Sequence, residues 1–169
     1  MKNTIKVFVL VALTLAAMSV SAQVKLGHIE TQKFIQAMPE WTAAQKTFEE
    51  EQKKVNTELN SLREQFQTKL AEYSEKMKTY SEAMRATTEE ELQGLQQRIQ
   101  RFQETAMAQL EKTQNDLMQP VMEKALNAIK EVGKENGFTY IFDMNAGILY
   151  AAENSQDGLP LVKKKLGLQ

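Results

Sequence analysis

Between residues 40 and 135 apolar side chains recur every three or four positions, and no other feature of this 169-residue chain limits its fold as strongly. The stripe begins Trp41, Ala44, Phe48, passes the polar Glu51, and continues through Val55, Leu59, Leu62, Phe66, Leu70, Tyr73, Met77, Tyr80 and Met84. It resumes as Leu92, Leu95, Ile99, Phe102, Ala106, Leu110, Thr113, Leu117, Val121, Ala125, Ala128 and Val132. The mean step is about 3.6 residues in both halves, the period of an unstrained helix, so little supercoiling is expected. One continuous helix over this stretch would reach about 144 Å, whereas a fold-back gives two arms of about 70 Å. Arg85 to Thr88 interrupt the stripe, and Thr87 with Glu90, or Thr88 with Glu91, has the spacing of a capping box. The expectation is therefore an antiparallel helical hairpin over residues 40–135, with equal arms and its tip near residues 85–88. Gly94 is the competing turn site and would leave unequal arms.

The start of the chain has a different character. Lys2 and Lys6 precede the apolar run from Val7 to Ala17, and Val20-Ser21-Ala22 supplies small residues for cleavage. That order predicts a secretory signal peptide over residues 1–22, cut after Ala22. The apolar run is too short for a membrane anchor. With no cysteine in the sequence, disulfides, thiolate metal sites and a lipid-modified cysteine are excluded. Removing the two leader lysines leaves 19 basic against 22 acidic residues, a net charge of −3. That balance points to neither nucleic acid nor an anionic membrane as a partner.

The flanks of the stripe read as a small β body, residues 23–39 and 136–169. Val24 to Ile29 is rich in β-formers and suggests one strand, and Thr31 is placed to cap a helical turn carrying Phe34, Ile35 and Met38. Pro39 suits the first position of the long helix. Pro120 should kink the second arm without ending it, because the stripe continues through Val132. Gly133 to Gly137 should end that arm. Phe138 to Asp143, a turn at Met144 to Gly147, and Ile148 to Ala152 read as a β-hairpin, and Asp157 as the cap of a closing helix. The fold class is α+β.

A body of that size, counted without the stripe, is too small for an independent core. Its strand edges are nearly all apolar and invite pairing with other copies. The body should therefore be an oligomerisation module, with Val24, Leu26, Ile29, Phe138, Tyr140, Ile141, Phe142, Ile148, Leu149 and Tyr150 as its candidate core.

Chemistry is hard to find. His28 has neither a second histidine nor a cysteine to work with, and a structural role suits it. Glu49 to Glu51 and Glu89 to Glu91 lie on helices where sequence neighbours point apart, as solvated faces do. The sequence holds no phosphate-binding glycine loop and no nucleophile motif, so it reads as a non-enzyme without metal or cofactor. Five of the seven methionines after residue 22 fall in the hairpin. Met77 and Met84 lie on the stripe and suit core filling, while Met107, Met118 and Met122 lie beside it. A two-helix arm buries one face only, so these three are candidate contacts for flexible partners.

The segments "VKLGHIETQKFIQAMPE" from Val24, "PVMEKALNAIKEVGKENGFTYIFD" from Pro120 and the "ILYA" strand, in this order and behind a signal peptide, resemble the Skp/OmpH family of periplasmic chaperones. The resemblance covers the whole chain after residue 22. It implies a homotrimer in which three β bodies join and three helical hairpins surround a cavity. It also implies ATP-independent holding of unfolded outer-membrane proteins. This chain departs in charge, being slightly acidic where the best-known members are strongly basic, and no lipid or lipopolysaccharide site is carried over. The alternative reading is a structural coiled-coil or adaptor protein of the cell envelope. A spacer should bind one defined partner; a holdase should keep several unrelated unfolded chains from aggregating.

Overall fold

A computed structural model describes residues 24–152 and 155–168. The expected signal peptide and its cleavage site lie outside the described residues. The elements run β1 (Leu26–Ile29), α1 (Thr31–Gln36), α2 (Pro39–Lys76), α3 (Glu82–Glu135), β2 (Tyr140–Asp143), β3 (Gln156–Asp157) and α4 (Leu159–Lys165). The fold is α+β: a long antiparallel helical hairpin, α2 and α3, on a small strand body. Pro39 occupies the first turn of α2, where its missing N–H is no loss. Pro120 lies inside α3, and the helix continues past it for four turns to Glu135.

The hairpin turns at residues 77–81, not at 85–88. Ser81 takes the N-cap position of α3 and its hydroxyl accepts the N–H of Met84 at 3.3 Å. Thr88, read above as a possible cap, instead donates its hydroxyl to the Met84 carbonyl within the helix at 2.8 Å. The turn hid in the sequence because its own residues keep the helical spacing. Tyr80 lies in the turn, its ring centroid 6.4 Å from that of Tyr73, and Arg85 donates to the Tyr80 carbonyl from both Nε and Nη2. Across the arms near this tip Lys69 pairs with Glu91, and the Tyr73 hydroxyl donates to Glu89.

The arms are unequal. At 38 and 54 residues α2 and α3 span about 57 and 81 Å. The excess of α3 runs into the body, where α1 and α4 pack on it in place of α2.

That root of α3 gives the body the core that its own residue count did not provide. Val121, Ala125, Ala128 and Val132 are buried with Ile29, Phe34, Ile35, Met38, Ala44 and Val162. These four sit at the helical spacing of one stripe, which passes from the arm seam into the body without a break. The α3 helix ends in a Schellman motif: Gly137, at φ +67°, donates to the Lys134 carbonyl, and Phe138 to Gly133 at 2.9 Å.

The sheet is parallel, with order β2-β1-β3. Leu26 pairs with Tyr140 and Ile29 with Asp143, while Gly27 and His28 pair with Gln156 and Asp157. Parallel strands need a long crossover, and the helical hairpin is that crossover for β1 and β2. The expected β-hairpin is therefore corrected. A turn does form after β2, with Ala146 donating to the Asp143 carbonyl at 3.0 Å, but residues 148–152 form no strand. Apolar density marks a segment that needs cover, not the strand it pairs with. The strand on the other side of β1 is the polar Gln156–Asp157.

Two caps also differ from expectation. Thr31 is the first residue of α1, and its N–H is received by Asp143 Oδ1 at 3.4 Å. Asp157 ends β3 and accepts the Leu159 N–H at 2.8 Å, with Gly158 in the cap position.

Candidate functional site

Alternation along the strands divides the candidate assembly residues between two faces. Gly27 and Ile29 are buried, and Ile141 packs on the same core. Phe138 lies against Gly27, where a β-carbon would sit 2.6 Å from the ring, and Lys25 Nζ is 4.3 Å from that ring's centroid. Ile29, Ile141 and Phe138 therefore belong to the inner face of the protomer and not to an intersubunit core. The opposite face presents Leu26, Tyr140 and Phe142 to solvent, with Val24 exposed beside the strand. Tyr140 and Phe142 stack at 6.0 Å with ring planes 27° apart. Beyond the turn Leu149 is 100% exposed and Tyr150 80%, while Ile148 is half-buried. His28 shares this outer face, and its Nδ1 lies 2.8 Å from the Ser155 hydroxyl, a structural hydrogen bond.

The second surface lies along the arms. Leu62, Leu92 and Ala106 are buried in the seam between α2 and α3. Most other stripe residues are only half-buried, because each helix has a single neighbour. Midway along, the seam opens into a cleft of about 520 Å³ lined by Val55, Asn56, Leu59, Gln100, Gln103, Glu104, Met107 and Leu110.

The three candidate methionines share one side of α3 but meet different surroundings. Met107 is 74% exposed on the cleft. Met118 packs partly buried against the body core. Met122 lines a separate hollow of about 280 Å³ with Ile35, Trp41, Asp143 and Asn145. They do not form one continuous surface. Sequence reading also missed Trp41 as part of that hollow, having placed it only on the stripe.

Charges tie the two arms to each other and α3 to α4 of the body. Glu40, at the start of α2, pairs with Lys124 of α3, and that hydrogen bond holds the Glu40 carboxyl below its ordinary pKa. Lys165 of α4 reaches Glu135 at 2.6 Å and Glu131 at 3.1 Å on α3. Among the described residues no cluster of three or more His, Asp or Glu side chains is arranged to hold a metal ion. Nor is any described helix long and apolar enough to cross a membrane.

A family model described as outer membrane protein (OmpH-like) matches residues 25–166. The chain belongs to the OmpH-like family. At the level of the family, membership supports a periplasmic chaperone of outer-membrane proteins and not an enzyme. No curated protein matches the chain.

In this OmpH-like body Asp143 joins the hollow to the start of α1. Burial pushes its carboxyl up, but hydrogen bonds from Asn145 and Thr31 outweigh burial and hold it below the usual aspartate range. A lowered carboxyl pKa contributes stability that is complete above the ordinary aspartate value and is lost as pH falls through the lowered one. Asp143→Asn keeps an accepting Oδ1 but loses the charge that strengthens these bonds, so it should melt below the native chain at neutral pH, by an amount equivalent to about 1 kcal/mol or less. The gap should close as the pH falls through the lowered value. Thermal melts across pH check this, and a gap that does not narrow on acidification would contradict it.

Proposed function

We propose that this chain is an ATP-independent holdase that keeps unfolded outer-membrane proteins from aggregating. In this reading it is exported with cleavage after Ala22, and it assembles as a homotrimer through the outer sheet face. The arms then enclose a cavity in which clients are held. The observation that carries the reading is apolar surface left uncovered along a two-helix arm, above all at the Val55, Leu59, Met107 and Leu110 cleft. A helix pair built only as a spacer gains nothing from an open seam.

A net charge of −3 after the leader offers little long-range attraction, so apolar contact and confinement carry most of the binding. Each contact contributes about 25 cal/mol per Å² of apolar surface covered, which lets dispersed patches hold a mobile chain without fixing its structure. The test is light scattering of an unfolded β-barrel protein diluted from denaturant with the chain present and no nucleotide. Aggregation should be suppressed for several unrelated clients, and equally at low salt and at about 0.5 M, where screening acts over only a few Å. No suppression for any client would leave the spacer reading; suppression abolished by salt would refute the apolar mechanism. Export has its own check, the intact mass of the secreted protein, which should begin at Gln23. A secreted form retaining residues 1–22 would defeat it.

A further inference from the structure

We propose that Met107 is a methionine-oxidation site, and that its conversion to the sulfoxide by a peroxide weakens binding at the interarm cleft. The consequence for binding, though not the site itself, rests on the holdase reading. Met107 is the most exposed large apolar side chain on the two arms, whereas Met38 in the body core is 0% exposed. Its thioether sulfur is open to attack. The sulfur takes one oxygen from hydrogen peroxide, forming the S–O bond as the O–O bond breaks. The sulfide is oxidised by two electrons and the peroxide leaves as water.

The cleft is mixed in lining: Val55, Leu59 and Leu110 are apolar, Asn56, Gln100 and Gln103 bring side-chain amides, and the Glu104 carboxylate accepts one N–H of Gln100 at 3.3 Å. A sulfoxide oxygen is a strong acceptor, and those amides are N–H donors. Oxidation thus places a polar, hydrated group where an apolar, adaptable one had been, and the affinity of the cleft for apolar chain segments falls.

The experiment treats the full chain with hydrogen peroxide, maps oxygen addition at each methionine by peptide mass spectrometry, and measures holding of an unfolded β-barrel protein before and after. Met107 should gain oxygen severalfold faster than Met38 and ahead of Met118 and Met122. The ratio of treated to untreated holding should fall severalfold for the native chain, stay constant for Met107→Leu, and return on treatment with methionine sulfoxide reductases. Oxidation of Met107 no faster than that of Met38 would overturn the site. An equal loss of holding in Met107→Leu would overturn the consequence. Failure of the untreated chain to hold any client would refute the holdase reading, while preferential oxygen addition at Met107 would still establish the site.

Discussion

Replacing Tyr140 and Phe142 together by lysine is expected to leave the protomer folded and to abolish its self-association. Both side chains point away from the protomer core and are exposed, so their loss removes little that the single chain buries. In an assembly that covers this face, each copy would contribute two ammonium groups to a desolvated sheet. An unpaired buried charge costs several kcal/mol, and symmetry repeats that cost in every subunit. Light scattering should give about three protomer masses for the native chain at micromolar concentration and one for the double variant, with closely similar circular dichroism. A native monomer, or a double variant of unchanged mass, would sink the assembly proposal. Ile141→Lys is the instructive contrast. That side chain packs on the protomer's own core, so its substitution should lower the melting temperature whether or not the chain associates.

The largest loss of stability is expected from Phe34→Ala. Phe34 is 0% exposed and heads the fully buried side chains of the body, in a core drawn from β1, α1, both arms and α4. A phenylalanine truncated at such a site costs about 3–5 kcal/mol, because the cavity adds to the lost transfer energy. Against a typical stability of about 5–15 kcal/mol this is a large fraction, and the body of the variant should melt far earlier. Denaturant unfolding at constant slope measures it. A loss below about 1 kcal/mol would show that the surrounding side chains close the cavity and that Phe34 is not the centre of packing.

The helical hairpin was legible because helical periodicity is a local property. From Trp41 to Val132 each apolar residue declares its face by its distance from the next. Pro39 at the start and Gly137 at the end are local signals too, each acting through the backbone of one or two residues. The tip was misplaced for the same reason. Met77, Tyr80 and Met84 keep the spacing across the turn, and the N-cap that decides it, Ser81, is followed at the third position by Met84 and so forms no capping box. Among the candidate site residues, Met107, read as a client contact, and Leu26, Tyr140 and Phe142, read as assembly core, are exposed in the single chain, as either role would require. Ile29, Ile141 and Phe138 were grouped with them because apolar density does not tell which face of a strand a core lies on.

The sequence by itself determined that this chain folds into two long apposed helices with short β segments at their ends, since periodicity, caps and breakers act over a few residues. Only the tertiary structure decided that the strands run parallel around β1, that α3 outruns α2 to become the wall of the body core, and that the seam opens at Met107. Each depends on which distant segments meet, on what covers a given face, and on how closely two helices pack. Those quantities are set by the whole chain at once, and no window of neighbouring residues encodes them.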